Sequence, residues 1–392
     1  MSGRVALIRP ALNGMALIVA ALAVGQCGAV AAVAMPSAQR ALPRLASGRV
    51  GPGWSIAEYS AASSPQAPHR FAGKTTLYLV SPTGRKVAFF SWPAAENGPD
   101  NYYLVDWSAD GQRVLVRNFF NGFEQISVVT GKIISKFRLP AEAMAIGYTG
   151  PADQSILASD NYSQDSNTAR IYNLAGQLTK ILTRSGPPLG AIGSPGGAVA
   201  VVSTNSGIEL VSNAGRLIKR LHPPVPVTGC APRRWWNTGT VLASCDARRG
   251  PGIPRLWLFP ADGRRATALT AQRSASGTDL GDIGAWKLPS GVYLQALSLK
   301  SCMQQFIATQ SSTGSVHQVT IPGVPGDDRI ITGQGSRLLV QALYDCGIGN
   351  APLAWFNPHT EKVTWVFPPQ KNFVGVESAV PYGQPLNANE PG

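Results

Sequence analysis

From Trp54 onward the apolar residues come in short runs, set apart by Gly, Asn, Asp, Ser and Pro. No long stretch carries the three-to-four spacing of an amphipathic helix. Short apolar runs between turn residues predict β-strands. Seven segments repeat one pattern of strand, tight polar turn and strand: SPTGRKV, VVTGKII, NLAGQLT, SNAGRLI, PADGRRA, SSTGSVH and NPHTEKV. Their turn residues are Gly84, Gly131, Gly176, Gly215, Gly263 and Gly314, with Thr360 in the seventh place. Steps of 47, 45, 39, 48, 51 and 46 residues separate them. Glycine suits these turns because they need a positive φ.

A second hairpin precedes most of these turns. The clearest runs from Tyr102 to Trp107, through the turn SADG, and on from Arg113 to Arg117. Similar hairpins span 191–202, 227–245, 283–297 and 330–343. Each unit then holds four strands, A to D, in about 45 residues, the period of a propeller blade. A lone four-stranded sheet leaves both faces bare, and a ring of blades covers them. The expected fold is therefore all-β, a seven-bladed β-propeller of four-stranded antiparallel blades. The first unit shows only three strands, 54–60, 75–81 and 86–92. The extra strand 372–379 after the last unit is expected to complete it, closing the ring and leaving no open edge.

The segments WSADGQRVLV at Trp107 and LWLFPADGRRATALT at Leu256 resemble repeats of the TolB-like, WD40-like (PD40-type) propellers. In those repeats a "WSPDG" turn joins A to B, and "lw…dG…LT" spans C and D. The resemblance covers about residues 50–385 as a repeat pattern, and the fourth and seventh units depart from it. It implies the fold and a frequent binding role without transferring a specific activity. It also implies that the B–C and D–A loops share one face, where ligands usually bind.

Composition and charge add the compartment. Gly 42 and Pro 31 mark a turn-rich chain, and 14% charged residues is low for a globular protein. Residues 1–34 carry only Arg4 and Arg9 as charges. An apolar core follows and ends on Ala32-Val33-Ala34, a small-x-small site. This reads as a secretory signal peptide processed after Ala34, with an uncleaved membrane anchor as the alternative. Residues 35–50 read as a linker, 51–385 as the propeller and 386–392 as a disordered tail. Loss of 1–34 removes Cys27 and leaves four cysteines, an even number that suits an exported chain with two disulfides. Cys230 and Cys245 oppose each other in one hairpin. Cys302 and Cys346 fall in B–C loops of adjacent blades six and seven. The expected pairs are Cys230–Cys245 and Cys302–Cys346.

The formal charge of +13 falls to +11 without Arg4 and Arg9, and fits an anionic partner such as lipid headgroups or acidic wall polymer. No G-x-S-x-G elbow, phosphate-cradling glycine loop or metal-spaced group among His69, His222, His317 and His359 is present, so neither metal nor other cofactor is expected. Asp160, Asp246 and Asp345 each end a B strand near the loop face, where they either cap turns or ring the channel mouth together with Asn350. Blade five holds the densest basic region: Arg233, Arg234, Arg248, Arg249, Arg255, Arg264 and Arg265, with Trp235, Trp236 and Trp257 interleaved. This reads either as an anion site or as solvated arginines beside tryptophans packed between blades. Arg233 and Arg234 are placed in an A–B turn, away from Arg248 and Arg249. The expected function is that of an exported, non-enzymatic and monomeric binding module of the cell envelope or exterior. It would hold a protein or anionic polymer, and not nucleic acid, on its loop face through Arg248 and Arg249. The alternative is a propeller lyase or glycosidase with carboxylates at the channel mouth.

Overall fold

The computed structural model describes residues 50–60, 74–92, 102–118, 122–140, 143–160, 168–182, 190–247, 253–273, 277–299, 303–324, 327–343, 351–370 and 375–383. These form seven antiparallel four-stranded sheets arranged as the blades of a propeller. From the inner to the outer strand, blade two is Tyr102–Trp107, Arg113–Asn118, Gly122–Ser127 and Ile133–Arg138. Blade three is Ala143–Thr149, Ser155–Asp160, Ala169–Asn173 and Leu178–Ile181, and blade four Ala191–Gly193, Val199–Thr204, Gly207–Ser212 and Leu217–Leu221. Blade five is Val227–Asn237, Thr240–Ala247, Arg255–Pro260 and Thr267–Ala268, and blade six Asp279–Leu288, Gly291–Leu299, Met303–Gln310 and Val316–Gln318. Blade seven is Asp327–Gln334, Arg337–Leu343, Leu353–Asn357 and Lys362–Phe367.

Blade one takes its inner strand, Gly375–Pro381, from the far end of the chain and adds Ser55–Ser60, Thr75–Val80 and Lys86–Ser91. The expected closure is present, with the strand set slightly later than 372–379. The turn glycines sit at positive φ, from Gly84 in blade one to Gly314 in blade six. In blade seven that conformation falls on Glu361, φ 56°, and not on Thr360, because the turn there is one residue longer. Among the described residues no helix is long and apolar enough to cross a membrane.

The core consists of seven apolar clusters, one at each interface between neighbouring blades. Between blades one and two, for example, Ile56, Leu77 and Leu79 pack on Leu104, Trp107 and Val114. The seam between blades seven and one is packed in the same way, with Trp355 and Leu339 against Ala57, Val376 and Ala379. Closure thus buries as complete an interface as any other.

Polar ties cross the same interfaces near the middle of the second strand. Gln295 of blade six accepts the Ile330 N–H at 2.6 Å and donates to the Asp328 carbonyl at 2.7 Å. Gln341 of blade seven donates to the Val376 and Glu377 carbonyls at 2.8 and 3.1 Å. Ser244 of blade five donates to the Asp282 carbonyl at 2.7 Å. Glu58 takes this position in blade one and accepts from the Leu104 N–H of blade two at 3.2 Å. These bonds tie inner-strand backbone groups of one blade to a side chain of its neighbour.

Cys230 and Cys245 face each other in register across the blade-five hairpin, 4.0 Å apart at Cα, and form the expected disulfide. Cys302 and Cys346 lie outside the described residues. Replacing Cys230 and Cys245 together by Ser is expected to lower stability by about 3 kcal/mol on the chain-entropy model, read from denaturant unfolding. An unchanged midpoint would assign this bond no stabilising role.

Candidate functional site

The inner strands of the blades line a central channel, and each of them is the edge of its sheet. Blade five departs most from regular pairing. Its inner strand, Val227–Asn237, slips register against Thr240–Ala247 at three places and leaves Thr228, Arg233 and Trp236 as extra residues. Such bulges re-aim side chains. Pro232 is accommodated because an edge strand need not donate every N–H. Arg233 and Arg234 therefore stand within a strand, and not in the A–B turn where the sequence placed them. That turn is confined to Thr238 and Gly239.

The bulged segment opens into a cavity of about 280 Å³ at the turn end of the channel. Arg233, Arg234, Trp235 and Trp236 of blade five line it with Trp286 of blade six and Arg329 of blade seven. The Trp235 indole is fixed by donating to the Gly193 carbonyl of blade four at 3.0 Å. The Arg234 guanidinium carbon lies 5.4 Å from the Trp236 ring centre and 5.1 Å from that of Trp286, within cation–π range of both. Burial pushes the Arg234 pKa down to about 10, which leaves it a cation at neutral pH. A guanidinium in such surroundings has given up hydration and gains strongly from an anion that meets it edge-on. The sequence reading of solvated arginines beside packed tryptophans fits Trp257, which is buried between blades four and five. It does not fit Arg234.

The other end of the channel is acidic. Asp246 is half-buried; burial raises its pKa, and the Arg233 charge opposes that rise. Asp160 ends the strand Ser155–Asp160, opposite Ala143. Arg248, Arg249, Asp345 and Asn350 lie outside the described residues, so the expected loop-face set is not brought together by what is described. The inner strands carry carboxyls that the sequence reading missed. Asp282 is gripped by Arg273 through two bonds of 3.0 Å, and Arg273 also holds Asp279. Asp328 is raised to about 7 by burial and by repulsion from Asp327.

Glu377 is the extra residue of a bulge facing Glu58 and Tyr59, which sets its carboxyl beside that of Glu58. Burial raises Glu377 to about 7. Burial first, and then repulsion from Glu377, raise Glu58 well above its ordinary value, although Ser378 Oγ donates to it at 2.7 Å. An acidic residue inside an otherwise apolar inner strand was the available signal. The channel is thus cationic and aromatic at the turn end, with the inner-strand carboxyls Asp282, Asp328 and Glu377 toward the loop end and Asp282 held by Arg273.

No protein-family model matches the chain, and no curated protein does. Among solved structures it is similar to TolB from Acinetobacter baumannii, at 14% identity over 86% of this chain and 68% of that one, TM-score 0.45. It is also similar to a puromycin-hydrolyzing peptidase from Mycobacterium tuberculosis, at 14% identity over 80% of this chain, TM-score 0.46. A third likeness is to a prolyl endopeptidase, at 15% identity over 80% of this chain and 49% of that one, TM-score 0.49. The chain spans about half the length of the Mycobacterium peptidase, 53% of it. The chain is a β-propeller of seven blades, and TolB, whose repeats its own segments resemble, is among the structures like it.

Proposed function

We propose that the protein is an exported, non-enzymatic binding module whose ligand presents an anionic group on an apolar body, seated in the arginine–tryptophan mouth of the channel. The observation that carries this reading is the cavity of about 280 Å³ lined by three arginines and three tryptophans. Arginine supplies two-point contacts to a carboxylate or phosphate, and indole faces supply area for the body behind it. On this reading the main contact is at the turn end, while Arg248 and Arg249 of the loop face lie outside the described residues. The reading also draws support from two described carboxyls, since Asp282 of an inner strand is held by Arg273 and Glu58 of a second strand is fully buried. A glycosidase or lyase would need such groups to face its substrate.

The test is intrinsic tryptophan fluorescence during titration with N-acetylphenylalanine and with its amide. The acid is expected to give a saturable change and the amide to bind about tenfold more weakly, the loss of a charge-assisted contact. Arg234→Gln should remove that difference, while Arg248→Ala combined with Arg249→Ala should preserve it. Equal binding of acid and amide, or an Arg234→Gln variant that still discriminates, would overturn the reading.

A further inference from the structure

We infer that the outer rim of blades two, three and four is a docking surface for an anionic lipid membrane. The outer strands of these consecutive blades share one irregularity. Each slips register by one residue just after its turn, leaving Ile134, Thr179 and Ile218 as the extra residue. The residue before each is also apolar and exposed: Ile133, Leu178 and Leu217. Ile133 is 37% exposed, Leu178 48% and Leu217 42%, so the rim shows apolar side chains to solvent at equivalent points on three successive blades, with Ile134 and Ile218 exposed beside them.

Cations flank these residues: Lys132 and Lys136 in blade two, Lys180 in blade three, and Arg216, Lys219 and Arg220 in blade four. The three outer strands contain no carboxylate. Lys136 and Arg220 pair with Glu124 and Glu209 of the adjacent strands. Lys180 runs beside Gly215 in the turn of blade four, and Lys219 beside Gly263 in the turn of blade five, so the cations join one rim to the next.

The choice of a membrane over a protein strand follows from the edge itself. A bulge breaks the regular row of N–H and C=O groups that an added strand would need, and lysines on an edge oppose such pairing. Exposed aliphatic side chains between lysines and arginines match an interface with apolar tails beneath anionic headgroups.

The experiment is co-sedimentation of the full chain with phosphatidylcholine vesicles and with vesicles that also contain phosphatidylglycerol. Residues 1–34 are the same in every protein compared, so differences between variants report the rim. Wild type should favour the anionic vesicles. Lys180→Glu with Lys219→Glu should weaken that binding roughly tenfold, and Ile134→Ser with Ile218→Ser should weaken it several-fold. Arg234→Gln should bind vesicles as wild type does, which separates this surface from the channel mouth. Wild-type binding in either rim variant overturns the inference. So does competition by polyglutamate that leaves the isoleucine variant indistinguishable from wild type, since that outcome marks a surface for acidic polymer.

Discussion

A chain ending before Asn372 is expected to lose its cooperative unfolding transition and to aggregate. The deleted part contains Gly375–Pro381, whose Val376, Ala379 and Val380 are fully buried. Its removal uncovers the clusters on both sides of blade one, including Ile56, Ala57 and Trp355. It also strands the side-chain amide of Gln341, which donates to two carbonyls of the lost strand, and the carboxyl of Glu58, which loses the Ser378 hydroxyl. The strand Ser55–Ser60 becomes an unpaired edge with a largely buried sequence, a template for pairing between molecules. Size-exclusion chromatography with thermal unfolding measures the outcome. A truncated chain that stays monomeric and melts as the full chain does would contradict the packing of this seam.

Stability is expected to fall as pH rises from about 5 to about 8.5, the reverse of what salt-bridged carboxylates produce. Asp106 is raised to about 8, chiefly by burial and against two backbone N–H donors. Asp328 and Glu377 are raised to about 7, and Glu58 is raised well above its ordinary value. In the unfolded chain these groups titrate near 4. Between the two ranges the folded protein holds more protons than the unfolded one, so each step upward in pH favours unfolding. Below about 4 both states are protonated and the effect vanishes, and above the folded values it has reached its full size.

A melting temperature higher at pH 5 than at pH 8.5 by on the order of 5–10 °C is expected at constant ionic strength. Glu58→Gln should shrink the difference. Glutamine stands at the equivalent place in blades six and seven, where Gln295 and Gln341 make the same kind of tie. Its amide N–H can also donate to Glu377 in place of a shared proton. Equal melting at the two pH values would remove the buried carboxyls as a source of pH dependence.

The ring was legible in the sequence because the physics that builds it is local. A glycine at positive φ marks each of six outer turns, and the runs between turns have strand length. The Cys230–Cys245 pair was legible for the same reason, since two strands joined by a short turn fix which residues oppose. The arginine–tryptophan mouth was not legible. Three single-residue slips in Val227–Asn237 decide which side chains enter the channel, and alternation counted along the chain cannot register an extra residue that pairs with nothing. Glu58 was hidden differently. In the strand Ser55–Ser60 it reads as a polar position on an exposed face, yet that face is covered by blade two, and only the curvature of the ring brings blade two there.

The antiparallel seam of blade one has a mechanical consequence. Ser55 opposes Pro381 at one end of the ladder, and Ser60 opposes Gly375 at the other. The chain therefore enters and leaves the seam at the same end. A pull applied between a tether before Ser55 and a load after Pro381 would part the two strands like a zipper, one hydrogen-bonded pair at a time. It would not shear the whole ladder at once. The joint that makes the ring continuous in solution is thus the one that yields at low force when the chain is held by its ends, while tension on the outer strands bypasses it.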